Sequence, residues 1–162
     1  MAAPSASIAV ANATWEQIKS SRSVSDDHLS ILHFLFGKNL ERATRIVDQG
    51  GVRRVSGAPS GRSLFLVVGE SKRKEEYICF PENHCTCYSF FYDIVNWGEQ
   101  LCVCFLICFT SCFFFLAFSV THLSPFCSEC KHQIAARLAE AVGALTEVEV
   151  SDEQLALMLA KL

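Results

Sequence analysis

The sequence has no excess of positive charge. Fourteen lysines and arginines face 17 aspartates and glutamates, for a net charge of -3 and a pI near 5.9. That balance gives no chain-wide attraction to nucleic acid, so any DNA contact would need a local basic patch. The start, MAAPSASIAVANATW, lacks the basic opening and continuous apolar core of a secretory leader. The nine cysteines are therefore not expected to form a secreted disulfide scaffold. In a reducing setting, clustered cysteines are more often metal ligands. No internal repeat is visible. A cysteine–histidine nucleophile would need supporting groups, and no oxyanion-hole or glycine-rich signature accompanies one here, so catalysis is not expected. The 162 residues suffice for one compact domain with a core, or a small domain plus an appendage, but not for two full domains.

What the chain has in abundance is one apolar run. Residues 101 to 120, LCVCFLICFTSCFFFLAFSV, are apolar except for Thr110, Ser111 and Ser119, and they carry much of the 51% hydrophobic content. As a helix they would extend about 30 Å, a bilayer's hydrocarbon thickness. A small membrane-anchored protein is thus the alternative reading of the whole chain. Against it, no lysine or arginine closely flanks the N-terminal end of the run.

Outside that run the pattern is that of an α+β protein. Residues 1–24 read as a flexible tail, 1 to 12, and a short helix around ATWEQIKSS. Residues 25–50 read as a helical hairpin. Ser25 is the candidate N-cap, and Leu29, Ile31, Leu32, Phe34 and Leu35 form the first apolar face before Gly37. Leu40, Ala43, Ile46 and Val47 form the second, ending at Gly50 and Gly51. The period then changes to alternation. GVRRVSG, RSLFLVVG and EYICF, separated by turn-rich sequence, predict a small antiparallel β-meander. Arg53, Arg54, Arg62, Lys72, Arg73 and Lys74 lie on it. They are either a solvated, edge-protecting face or a phosphate-contacting patch. CKHQIAARLAEAVGAL predicts a helix with Ile134, Leu138 and Val142 on one side. VSDEQLALMLAKL predicts an amphipathic C-terminal helix over 146–162, opened by a Ser151–Gln154 capping box and striped by Leu155, Met158, Leu159 and Leu162. That stripe fits core packing or a docked partner.

The residues with chemistry in them are CTC at 85 to 87, after the third predicted strand, and CKH at 130 to 132, opening a helix. Thiolate and imidazole are zinc's preferred ligands, and two pairs complete one tetrahedral shell. Positions two apart on an ideal helix point away from each other, so Cys130 must precede the helix with His132 in its first turn. His84 adjoins the site but fits a surface or supporting role better, and Cys79 reads as a buried strand residue.

C-x-C, a spacer, then C-x-H resembles the SWIM zinc finger. HLSILHFLFG, the PSGR turn, CTC, CKHQIAARL and VSDEQLALML together resemble the Shu-complex SWIM-domain subunits over most of residues 25 to 162, in an expected plant form. The resemblance implies Cys85, Cys87, Cys130 and His132 as ligands of one structural zinc, in a SWIM-type domain spanning 51–145. It implies a non-enzymatic nuclear adaptor in homologous recombination, which pairs with a RecA-like recombinase paralogue and supports recombinase filaments on single-stranded DNA. A SWIM module of transposase-related type fits the N-terminal hairpin less well. The departure from the family is the spacer, residues 88 to 129, which is long. Deleting 103–129 would leave GEQLCCKHQIAARL and bring Cys102 next to Cys130. The segment runs from a valine to a glutamate through residues with thymine-rich codons, as a retained in-frame intron would. An evolved insertion is the other origin, and a protruding helix or hairpin is its expected shape.

Overall fold

The computed structural model describes residues 6–70, 73–92 and 129–160. Three helices open the chain: α1 (Ala6–Ser21), α2 (Asp26–Phe36) and α3 (Lys38–Asp48). The helix expected around ATWEQIKSS therefore begins earlier, so residues 6 to 12 are not a tail. Ala11, Thr14, Trp15 and Ile18 supply its buried stripe. Ala11 continues the spacing of Trp15 and Ile18 one turn toward the N-terminus, and burial there holds the first turns helical.

Ser25 caps α2 as its side chain implied, accepting from the His28 N–H at 3.2 Å while His28 Nδ1 accepts from the Ser25 N–H. The broad apolar face read on α2 splits. Leu32, Leu35 and Phe36 are buried, whereas Ile31 and Phe34 are exposed. Gly37 ends α2 and starts α3 with a positive φ of 54°, which a side chain would strain.

The meander forms as expected: β1 (Val52–Ala58), β2 (Ser63–Val68) and β3 (Glu76–Phe80), antiparallel throughout. Two further strands make the sheet five-stranded, in the order β4-β3-β2-β1-β5. The short β4 (His84–Cys85) folds back on β3. After α4 (Lys131–Val142) comes β5 (Thr146–Ser151), which runs parallel to β1. Here the expectation of helix over 146–162 is corrected: Thr146 to Ser151 alternate, with Val148 and Val150 half-buried between outward polar residues. Among the described residues of this stretch, only Asp152–Leu159 is helical, as α5. Its Ser151–Gln154 capping box is present.

Strand alternation divides the core. Val52, Phe65, Val67, Cys79 and Cys85 face the helical layer of α1 to α4. Val55, Leu64 and Leu66 face α5, whose Leu155 is buried and whose Met158 and Leu159 are half-buried. Leu162 lies outside the described residues. Helix α4 is the central piece. It packs on α1, α3 and the sheet, and alanines at 135, 136, 139 and 141 let its neighbours approach on several sides. Gly143 ends it in a left-handed conformation.

Gly57 sets the seat of α5. A Cβ there would lie 2.5 Å from Asp152 Oδ1 and 2.9 Å from Leu155 Cδ2. Asp152 is also held, by Ser60 Oγ at 2.5 Å. Gly57→Ala is therefore expected to cost about 1–3 kcal/mol by overpacking. Amide exchange in α5 should rise more than in α4; equal protection in both helices would contradict this seating.

Candidate metal centre

The site is built where the short β4 meets the N-terminus of α4. Cys85 ends β4 opposite Cys79 of β3. Thr86 prolongs the pairing, its N–H donating to the Ile78 carbonyl at 3.0 Å and its Oγ1 accepting from the Ile78 N–H at 3.0 Å. Cys85 and Cys87 flank that anchor, and strand periodicity turns both inward. Cys130 takes the extended N-cap position of α4 (φ -76°, ψ 160°), and His132 sits in the first turn. This bent entry is the geometry the C-x-H spacing required.

All four side chains are buried, and their donor atoms lie within 4.8 Å of one another. His132 Nδ1 is 3.9 Å from Cys85 Sγ, while His132 Nε2 is buried with no hydrogen-bond partner. A buried orphan nitrogen beside three thiols is costly to leave bare. Three sulfurs and one imidazole suit a tetrahedral thiophilic metal, and four donors close its coordination shell. The Cys87 thiol is held well below the usual range, chiefly by hydrogen bonding from Cys130 and then Cys85. The Phe90 N–H adds a contact to Cys87 Sγ at 3.2 Å. Cys130 is pushed far up by its contacts with Cys85 and Cys87 and by burial. For Cys85, the Cys130 contact lowers the pKa, but contacts with Cys79 and Cys87 together with burial outweigh it and leave the thiol raised. Hydrogen bonds from the neighbouring thiols thus favour the charged form of Cys87, the charge state a cation would extend to the set.

Two supporting residues escaped the sequence reading. Gln133 Oε1 accepts from the Cys130 N–H at 3.0 Å, and its Nε2 donates to the Pro81 carbonyl at 3.4 Å, tying the helix start to the β3–β4 turn. The Cys130–Gln133 spacing equals that of the Ser151–Gln154 box and could have revealed it. Tyr77 lies against His132, with ring centroids 4.6 Å apart and planes tilted by 34°, a cross-element contact that no local pattern announces. Cys79 is fully buried, as expected. His84 is exposed and lies edge-on to Phe90 at 5.1 Å, outside the donor cluster.

The described basic residues of the meander do not converge. Alternation puts Arg53 and Arg54 on opposite faces, where Arg53 pairs with Glu76 and Arg54 approaches Glu140 at 4.0 Å. Arg62 lies in the β1–β2 turn, and Arg73 and Lys74 lie in the β2–β3 turn. The six-residue β2 separates these turns by roughly 17 Å. Lys72 lies outside the described residues, as do Cys102, the run 101 to 120 and all of 103–129 except Glu129. Among the described residues no helix is long and apolar enough to cross a membrane.

Glu129, counted from the sequence as the last residue of the insertion, is tied into the fold. Arg137 Nη1 donates to it at 2.6 Å, and its carbonyl accepts from Asn39 Nδ2 at 3.4 Å.

Comparison with known proteins bears on this arrangement. The zinc finger SWIM domain-containing protein 7 of Danio rerio is 32% identical over 149 residues, which cover 91% of this chain and 83% of that protein. The chain belongs to the zinc finger SWIM domain-containing protein 7 family. The proteins of that name from Homo sapiens and Mus musculus are 25% and 26% identical over 139 residues, covering 85% of this chain and 78% and 72% of theirs. These relatives are vertebrate and lend no support to a plant origin. No protein-family profile and no solved structure matches the chain. Within the SWIM family frame, the cluster of Cys85, Cys87, Cys130 and His132 is a potential metal site.

Proposed function

We propose that the chain is a zinc-stabilised, non-enzymatic adaptor of homologous recombination, a Shu-complex-type subunit. In this reading Cys85, Cys87, Cys130 and His132 hold one structural zinc, and the protein works in the nucleus paired with a RecA-like recombinase paralogue to support recombinase filaments on single-stranded DNA. The observation that carries it is the convergence of the four buried donors at the β4–α4 junction. Kinship with proteins named for a SWIM zinc finger supports zinc as the metal. The recombination role rests on the resemblance of the hairpin, the two ligand pairs and the C-terminal helix to the Shu-complex subunit. A closed four-donor shell leaves no open position for substrate, which favours a structural metal.

Co-expression with each RecA-like paralogue of the source genome tests the role. One paralogue is expected to co-purify stoichiometrically, and the pair should bind single-stranded DNA with an affinity that falls steeply with salt. Failure to retain any paralogue at full zinc occupancy would remove the adaptor reading while leaving the metal site standing. Salt-independent binding would return Arg53, Arg54, Arg62, Lys72, Arg73 and Lys74 to a solvated face.

A further inference from the structure

We infer that the outer edge of β5 is a docking site for an extended partner strand that alternates basic and apolar residues. The two edges of the sheet differ. β4 is two residues long, and so short an edge offers little to pair with. β5 is six residues long, and its register with β1 runs without a bulge from Arg53↔Thr146 to Ala58↔Ser151. It contains no proline and no lysine, and among the described residues no strand pairs with its other side. Thr146, Glu147, Glu149 and Ser151 are exposed. An edge of this length presents backbone donors and acceptors that an added strand can pair with.

The side chains decide the occupant. Glu147 and Glu149 point to the helical side of the sheet. There Glu147 is in register with Arg54, which already approaches Glu140 at 4.0 Å, so the edge keeps an acidic excess. Val148 and Val150 point to the other side and are only half-buried against α5, where Leu157 is 67% exposed. A second copy is disfavoured, because the symmetric antiparallel register centred on Val148 would set Glu147 of each chain opposite Glu149 of the other. Like charges directly opposite are destabilising in a sheet. A foreign strand with lysine or arginine opposite the two glutamates makes the favourable pairs instead, and its alternate apolar residues extend the half-covered valine face. The edge thus rejects its own kind while remaining open to a basic strand. This inference needs the sheet but neither the zinc nor the recombination role.

The test uses the full chain and a synthetic peptide of about eight residues alternating lysine and valine, with its glutamate–valine counterpart as control. Binding is read by titration, and its location by amide exchange. The lysine peptide is expected to slow exchange at 146 to 151 and to bind about tenfold more tightly than the glutamate peptide, since two cross-strand pairs change from repulsion to attraction. In Glu147→Lys, Glu149→Lys the preference should reverse. Both positions are exposed, so the variant is expected to fold, and unchanged exchange in α4 checks that it does. Three results would overturn the inference: no slowing at 146 to 151 with either peptide, meaning that the glutamates only guard the edge; a preference unaffected by charge reversal; or self-association of the parent chain through β5.

Discussion

A Cys85→Ser, His132→Ala variant is expected to purify without zinc and to lose cooperative unfolding in the part of the fold that contains β3, β4 and α4. The donors sit on elements separated in sequence by residues 88 to 129, so the metal would close a long loop. Relative to a spacer ending at residue 102, that closure costs only roughly 1 kcal/mol more, because the entropy grows with the logarithm of length. Structural zinc contributes on the order of 10–16 kcal/mol, as much as the whole stability of an ordinary domain, about 5–15 kcal/mol. The metal term therefore dominates. Because the thiols must lose protons to bind, occupancy of the parent chain should also fall on acidification. Metal analysis of the purified protein and thermal unfolding before and after chelation check both points. Cys79→Ser is the control: Cys79 is fully buried but lies outside the donor set, so this variant should keep its zinc. Full occupancy in the double variant would refute the assignment.

Arg137→Ala is expected to cost about 3 kcal/mol, the scale for stripping a partner from a largely buried ion pair. Arg137 bonds Glu129 at 2.6 Å and Asn12 Oδ1 at 3.1 Å, and its guanidinium lies 5.3 Å from the centre of the Trp15 ring. It joins α1, α4 and the residue just ahead of Cys130. The loss should depend on pH. Burial pushes the Glu129 carboxyl above the ordinary range despite the attraction of Arg137. A raised carboxyl binds protons more readily in the folded than in the unfolded state, so its contribution to stability is present at low pH and is lost as pH rises through the folded pKa. Removing Arg137 raises that pKa further. The variant's deficit should accordingly be largest near neutrality and shrink on acidification, which denaturant titrations at several pH values would show. A pH-independent deficit would mean that Arg137 acts through packing alone. Deletion of 103–129 would also remove Glu129, so the excision boundary drawn from codon character cuts into a contact of the folded protein.

Much of this protein was legible in its sequence because the signals are local. Ser25 and Ser151 carry short side-chain oxygens that satisfy helix-start N–H groups within one turn, and alternation in VRRVSGA and SLFLVV is a property of consecutive residues. The four candidate metal donors could be picked out because ligand chemistry admits few residue types, and C-x-C and C-x-H constrain the backbone that carries them. What was missed depends on partners distant in sequence. TEVEVS becomes a strand because β1 offers an edge for parallel pairing, and its neighbouring helix-forming residues masked the alternation. The extra turns of α1 are held by burial of Ala11, and the grouping of the arginines is undone by which face of β1 each residue occupies. Sequence alone determined which side chains can bind a metal and which segments alternate or turn. The tertiary structure decided that Cys85, Cys87, Cys130 and His132 lie within 4.8 Å of one another, that Gln133 locks the helix start, and that β5 closes one side of the sheet, with no further strand paired to it among the described residues. The physical reason is that burial and strand pairing are free energies of contact between residues far apart along the chain, which local pattern does not encode.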